Sequence, residues 1–249
     1  MLLVRAETRI AGVRLDCCRN TLLWHWMKCI FNVGCCALVL GLSGLAQLAS
    51  AQPNKTHTKS SDAHRGVIVA FGDSLTAGYG AEPGNSYPDF LQRDLDHAGL
   101  PWRVVNLGVS GDTTTDGLNR MKDVLAAKPQ IVILEFGGND GLRGLPVETT
   151  RSNLEQMIVT LQKAGIRVLL AGMTLPPNYG RAYINSFQEI YTELGRKYKV
   201  ALIPFLLEDI IARPNFRTLI QRDGIHPTGP GNEIVARTVM KYLRPLLNQ

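Results

Sequence analysis

The chain has 249 residues, a formal net charge of +6 and five cysteines, a length that bounds it at one or two domains. All five cysteines (Cys17, Cys18, Cys29, Cys35, Cys36) precede residue 52, so beyond that point a cysteine nucleophile, a cysteine-ligated zinc site and thiol redox chemistry are excluded. Five basic and two acidic residues also lie in that first stretch, which leaves residues 52–249 at +3, and no Lys/Arg run or basic stripe interleaved with aromatics points to nucleic acid as a partner.

Residues 31–51, FNVGCCALVLGLSGLAQLASA, carry no charge and end in the small-x-small pattern Ala49-Ser50-Ala51. That is the layout of a secretory signal peptide, so residues 1–51 are expected to be removed and the protein exported, to the periplasm or beyond. A retained membrane anchor is the other reading. Its apolar core, Val33 to Leu48, is shorter than the ~20 residues a span needs and is interrupted by Gly, Ser and Gln. The stretch before this core is unusually long for a basic start, and Met27-Lys28 stands immediately ahead of it. Met27 is therefore the expected initiator. Residues 52–65, QPNKTHTKSSDAHR, are polar and aperiodic and read as a flexible leader.

From residue 66 onward, short apolar runs alternate with amphipathic stretches. The strand candidates are 67–71 (VIVAF), 103–106 (RVVN), 130–136 (QIVILEF), 166–171 (IRVLLA) and 200–203 (VALI). The helix candidates are 86–98, 114–127, 149–164, 181–198 and 229–247. In 149–164, Leu154, Met157, Ile158 and Leu161 fall at helical spacing and form one stripe for a sheet. Strands apolar on both faces and separated by helices mean a parallel sheet covered on both sides. The expectation is one domain over 66–249, α/β and doubly wound in the flavodoxin-like manner, with five strands. Ligands of such sheets bind outside the carboxyl ends of the strands. There the sequence places Gly72-Asp73-Ser74, then Leu107-Gly108-Val109-Ser110-Gly111-Asp112, then Gly137-Gly138-Asn139-Asp140-Gly141.

The stretch FGDSLTAGYG, Phe71 to Gly80, sets a serine at the end of a strand among glycines. This arrangement either exposes a nucleophile or merely turns a corner. A nucleophilic serine needs a base. His57 and His64 lie in the leader and His97 in the polar end of a helix, Asp94-Leu95-Asp96-His97. His226 instead lies in Asp223-Gly224-Ile225-His226-Pro227, where Asp223 can reach around a tight turn to fix its tautomer. A plain Asx-turn is the competing reading of Asp223. Asp73 and Asp140 are expected to accept backbone N–H groups in their own turns, and Ser110 to be a turn residue.

GDSL at 72–75, the glycine of NLGVSGD at 106–112, GGND at 137–140 and DGIHP at 223–227 resemble, in order and spacing, the four blocks of the SGNH, or GDSL, hydrolases. The resemblance extends through GGNDGLRG (137–144), LPPNYG (175–180) and IPF (203–205) to the bacterial secreted branch of thioesterase I, lysophospholipase L1 and arylesterase. It implies Ser74 as nucleophile, His226 as base, Asp223 as its orienting acid, and the N–H of Ser74, the N–H of Gly111 and the side-chain amide of Asn139 as oxyanion donors. It implies hydrolysis of acyl esters, thioesters or lysophospholipids through an acyl-enzyme. The loop after the Asn139 block offers Leu142 and Leu145 to an acyl chain and Arg143 to an anionic head, unless it is only a packed surface loop. Pro176 and Tyr179 stand where they could wall the pocket.

No GxSxG elbow, GxxxxGK[ST] loop, GxGxxG after a strand or His pair at metal-ligand spacing occurs, so no cofactor and no metal are expected. A monomer without a lasting membrane anchor is the default. Two other functions fit the pattern: a carbohydrate O-acetyl esterase with the same triad, which needs a small acyl pocket, and a non-catalytic lipid- or glycan-binding protein, which needs no intact triad.

Overall fold

The structure, a computed structural model, describes residues 65–248. The expected signal peptide, the Met27 start and the leader up to residue 64 lie outside the described residues. Five strands form one sheet: β1 (Gly66–Gly72), β2 (Trp102–Gly108), β3 (Ile131–Glu135), β4 (Arg167–Ala171) and β5 (Ala201–Ile203). All neighbours are parallel and the order is β2-β1-β3-β4-β5. The expected α/β doubly wound architecture is thus the observed one. The order reverses between β1 and β3, and such a switch point opens a crevice at the strand ends.

The sequence explains which strands are central. Ile68 to Phe71 of β1 and Ile131 to Leu134 of β3 are completely buried, as continuous apolar runs require when both faces are covered. The edge strand β2 is only partly buried. The helices are α1 (Ser74–Ala77), α2 (Tyr87–His97), α3 (Thr114–Asn119), α4 (Met121–Ala126), α5 (Gly138–Leu142), α6 (Val147–Lys163), α7 (Arg181–Tyr198), α8 (Glu208–Ile211) and α9 (Gly229–Leu247). α2 packs on α9, while α3 and α7 pack on α6, giving the two helical layers that right-handed crossovers require. α2 begins at a capping box in which Ser86 and Asp89 satisfy each other's backbone N–H groups. The stripe Leu154, Met157, Ile158 and Leu161 of α6 is fully buried, and truncating one of these leucines to alanine would cost about 2–5 kcal/mol.

One expected helix is broken. The stretch 114–127 forms two helices separated at Arg120, whose φ of −107° and ψ of 18° leave the helical region. The Arg120 side chain is turned inward on to the ends of β1 and β2, where it meets backbone carbonyls at Gly72 (2.9 Å) and Leu107 (2.7 Å).

Candidate active site

The position of Ser74, the candidate nucleophile, is built by local chain geometry. β1 stops at Gly72, and Asp73 caps α1 by accepting the Leu75 N–H at 3.0 Å through Oδ1. Gly78, at φ 79°, ends α1 and returns its N–H to the Ser74 carbonyl at 3.1 Å. Ser74 therefore occupies the first position of a single helical turn at the carboxyl edge of the central strand.

His226 reaches Ser74 from the far end of the chain. Its loop is closed by Gln221 N–H donating to the His226 carbonyl (2.7 Å) and Thr228 N–H donating to the Leu219 carbonyl (2.9 Å). The Gln221 side-chain amide ties this loop to the nucleophile turn through the Tyr79 carbonyl at 2.7 Å. Gly224, at φ 76°, takes the left-handed conformation that the tight Asp223–His226 turn needs. Asp223 divides its two oxygens between the two roles considered for it. Oδ1 accepts the N–H groups of Ile225 (2.9 Å) and His226 (3.1 Å), forming an Asx-turn. Oδ2 lies 2.6 Å from His226 Nδ1, and His226 Nε2 lies 2.8 Å from Ser74 Oγ. Partial burial pushes the Asp223 carboxyl up, but the hydrogen bonds from Ile225 and His226 outweigh it and hold Asp223 below its usual 3.8. Such a line holds the imidazole in the tautomer that can take the serine proton. The Tyr79 ring lies tilted against the imidazole, centroids 4.7 Å apart.

Gly111 and Asn139 arrive from the ends of β2 and β3. Gly111 has φ 89°, so its backbone conformation rather than lack of space favours glycine. Asn139 Nδ2 donates to the Asp112 carbonyl at 3.0 Å and to Asp73 Oδ2 at 3.2 Å. Asp140 does not serve its own turn, contrary to expectation. It is buried and accepts from Thr114 N–H at 2.9 Å, from the Thr114 hydroxyl at 2.5 Å and from the Thr150 hydroxyl at 3.3 Å, because α5 tucks it between α3 and α6.

Two further residues escape a reading of the sequence. Arg120 Nε pairs with Asp112 Oδ2 at 2.6 Å, and its guanidinium lies 4.5 Å from the Phe71 ring centroid and 5.6 Å from that of Phe136. Glu135, at the end of β3, is fully buried. Its Oε2 accepts the Thr76 hydroxyl (2.7 Å) and the Asp73 N–H (3.2 Å), while Oε1 has no hydrogen-bond partner among the described residues. Burial, and then the neighbouring Asp73 carboxyl, push Glu135 well above its usual 4.5. Burial likewise raises Asp73 from 3.8 to about 6. A carboxyl raised in the folded state favours folding while protonated, and that contribution is lost as pH rises from the unfolded value through the folded one. Glu135→Gln removes one such group. Its melting temperature, relative to wild type, should therefore climb as pH rises above about 4.5; thermal denaturation across pH 4 to 8 checks this, and a constant difference would contradict it.

Ser74 and His226 line a cavity of about 910 Å³, and Asp223 stands behind His226, outside the lining. Of the substrate-contact candidates, Leu142 and Pro176 line it; Arg143, Leu145 and Tyr179 do not. Arg143 Nη2 is held by the Gly111 carbonyl at 2.8 Å. The Tyr179 hydroxyl donates to the Leu142 carbonyl at 2.8 Å, and the Leu145 carbonyl accepts the Tyr183 hydroxyl at 2.8 Å. These bonds brace the loop that carries Leu142 instead of adding side chains to the wall. The wall that the sequence did not reveal comes from the chain after β4 and β5, notably Met173, Phe205, Leu207, Ile211, Phe216 and Ile220.

Residues 70–234 match the GDSL-like Lipase/Acylhydrolase family. The chain is 37% identical over 222 residues to "Esterase TesA" of Pseudomonas aeruginosa, covering 89% of this chain and 100% of that one. It is 37% identical over 183 residues to "Thioesterase 1/protease 1/lysophospholipase L1" of Escherichia coli strain K12, covering 73% of this chain and 85% of that one. Among solved structures, the SGNH-hydrolase family esterase AlinE4 is 45% identical, with a TM-score of 0.60, over 74% of this chain and 97% of that one. The crystal structure of TesA superposes with a TM-score of 0.68 at 38% identity, over 72% of this chain and 99% of that one. Those two solved chains consist almost wholly of the part matched here, and residues 66–248 of this chain hold one continuous buried core. With a serine, a histidine and an aspartate in hydrogen-bonded line at the switch point of the sheet, and with these relatives, the chain belongs to the GDSL-like lipase/acylhydrolase family of esterases.

Proposed function

We propose that the protein hydrolyses carboxylic esters of acyl chains through a Ser74 acyl-enzyme. The observation that carries this reading is the continuous line Ser74 Oγ–His226 Nε2 (2.8 Å) and His226 Nδ1–Asp223 Oδ2 (2.6 Å) at the edge of a large cavity. Ser74 Oγ attacks the ester carbonyl carbon while its proton passes to His226 Nε2. Asp223 holds the ring and stabilises the imidazolium. The carbonyl oxygen becomes an oxyanion, met by the N–H of Ser74, the N–H of Gly111 and the amide of Asn139, which gives up its 3.2 Å bond to Asp73. Collapse breaks the bond to the leaving alcohol or thiol, which takes the proton from His226. Water, deprotonated by the same histidine, then releases the acid and restores Ser74.

A cavity of about 910 Å³ lies near the upper end of ordinary ligand pockets. Its lining by Leu142, Met173, Leu175, Phe205, Leu207 and Phe216 favours medium acyl chains over the small pocket that an O-acetyl sugar esterase requires. Thioesters and lysophospholipids fit the same chemistry, and export through residues 1–51 would present the enzyme to substrates outside the cytoplasm. p-Nitrophenyl esters from acetate to palmitate, given to the 52–249 protein, test the reading. Turnover should peak above acetate. Activity confined to acetate would favour the deacetylase.

A further inference from the structure

We propose that the mouth of the cavity is a docking surface for an anionic lipid layer. Four large hydrophobic side chains are prominently exposed among the described residues: Tyr79 (54%), Val109 (46%), Leu125 (37%) and Ile211 (50%). Single exposed apolar residues need no explanation. Three of these four, however, collect at one place. Tyr79 and Ile211 line the cavity, and Val109 immediately precedes the lining pair Ser110 and Gly111.

One rim of the same mouth is rich in arginine. The segment 211–222, IARPNFRTLIQR, supplies Ile211, Phe216, Arg217, Ile220 and Gln221 to the lining and contains Arg213, Arg217 and Arg222 but no acid. Arg143 is anchored beside it on the Gly111 carbonyl. Arg65, Arg120, Arg151 and Arg237 pair with carboxylates, whereas none of Arg143, Arg213, Arg217 and Arg222 does so among the described residues. Arg213 Nε donates only to a backbone carbonyl, that of Asp209, at 3.2 Å. Apolar tips set among arginines that meet no carboxylate complement a layer that is anionic at its surface and apolar just beneath it. A second copy of this chain would oppose like charges. A free anion in the cavity would leave exposed Val109 and the outward Arg213 and Arg222 without a purpose. Docking in this pose brings lipid esters directly to the opening over Ser74.

Each arginine near an anionic membrane strengthens partitioning by about fivefold, and the attraction is screened within about 3 Å at 1 M salt. The test is co-sedimentation of the 52–249 protein carrying Ser74→Ala, which spares the lipid, with vesicles of phosphatidylglycerol or of phosphatidylcholine. The expected result is binding to phosphatidylglycerol and much less to phosphatidylcholine. Arg213→Glu/Arg222→Glu should lower it at least about tenfold, as should 1 M sodium chloride, and Ile211→Asp should weaken it further. Arg213 and Arg222 do not line the cavity, so with Ser74 intact the double variant should hydrolyse p-nitrophenyl acetate at the wild-type rate, which also certifies its fold. No binding to either vesicle, equal binding to both, or binding unchanged by the double variant would overturn the proposal. Because binding is read in the Ser74→Ala background, it stands or falls separately from the esterase reading.

Discussion

Ser74→Ala should lower kcat on any ester that the protein hydrolyses by on the order of 10⁶, with little change in melting temperature. The serine is small, and among the described residues its hydroxyl is hydrogen-bonded to His226. His226→Ala should cost about as much, and Asp223→Ala less, on the order of 10⁴, because it removes only the group that orients the ring. The decisive feature is non-additivity. If the three side chains act as one unit, the double variant Ser74→Ala/His226→Ala should be no slower than either single variant. Steady-state kinetics of all four proteins check this; a double variant slower by the product of the single effects would contradict it. Asp223→Ala also removes the acceptor for Ile225 and His226 N–H groups, so its loss mixes chemistry with loop order.

Arg120→Gln should lower kcat by about 10²-fold with KM nearly unchanged. Arg120 does not line the cavity, but it joins the segments that carry all three proposed oxyanion donors. It donates to the Gly72 carbonyl, two residues before Ser74, and to the Leu107 carbonyl, at the end of the strand that leads to Gly111. It also pairs with Asp112, whose own carbonyl accepts from Asn139. Donors aimed at charge that develops only in the transition state act on kcat, not on substrate binding. Lysine should not rescue the site, because an ammonium cannot reproduce the three-way fork of a guanidinium. The pair is mostly buried, at 18% and 14% exposure, so melting temperature will fall as well. Asp112→Asn keeps the local shape and removes the charge that aligns Arg120, so it should lower kcat in the same direction. Both variants should bind a ground-state ester analogue normally and a tetrahedral phosphonate weakly. Equal weakening toward both ligands would reduce Arg120 to a structural role.

The sequence made the sheet and the turns that carry the proposed triad readable for definite physical reasons. Apolar runs in β1, β3 and β4 are continuous because both faces are covered, and the stripe of α6 repeats at 3.6 residues because one face is. Ser74, Asp223 and His226 were readable because each sits in a short turn whose glycine and proline signals are local. Arg120 was not, since in an amphipathic stretch it looks like any solvated face residue; only the three-dimensional meeting of β1 and β2 gives it partners. Glu135 was hidden in the run QIVILEF, where the sequence pattern does not distinguish a buried carboxyl from a strand end. Arg143, Leu145 and Tyr179 lie close in sequence to cavity residues, but side-chain direction in a loop is set by tertiary contacts: Arg143 and Tyr179 turn to the Gly111 and Leu142 carbonyls, and Leu145 is held through its own carbonyl by the Tyr183 hydroxyl.

The most direct test of the account is intact-protein mass spectrometry of the 52–249 protein, quenched in acid during turnover of a p-nitrophenyl ester, followed by peptide mapping. The account predicts a single added acyl group, carried by the peptide containing Ser74 and absent from the Ser74→Ala variant. An acyl group on another residue, such as Ser110, or turnover with no covalent adduct when deacylation is slowed, would contradict it.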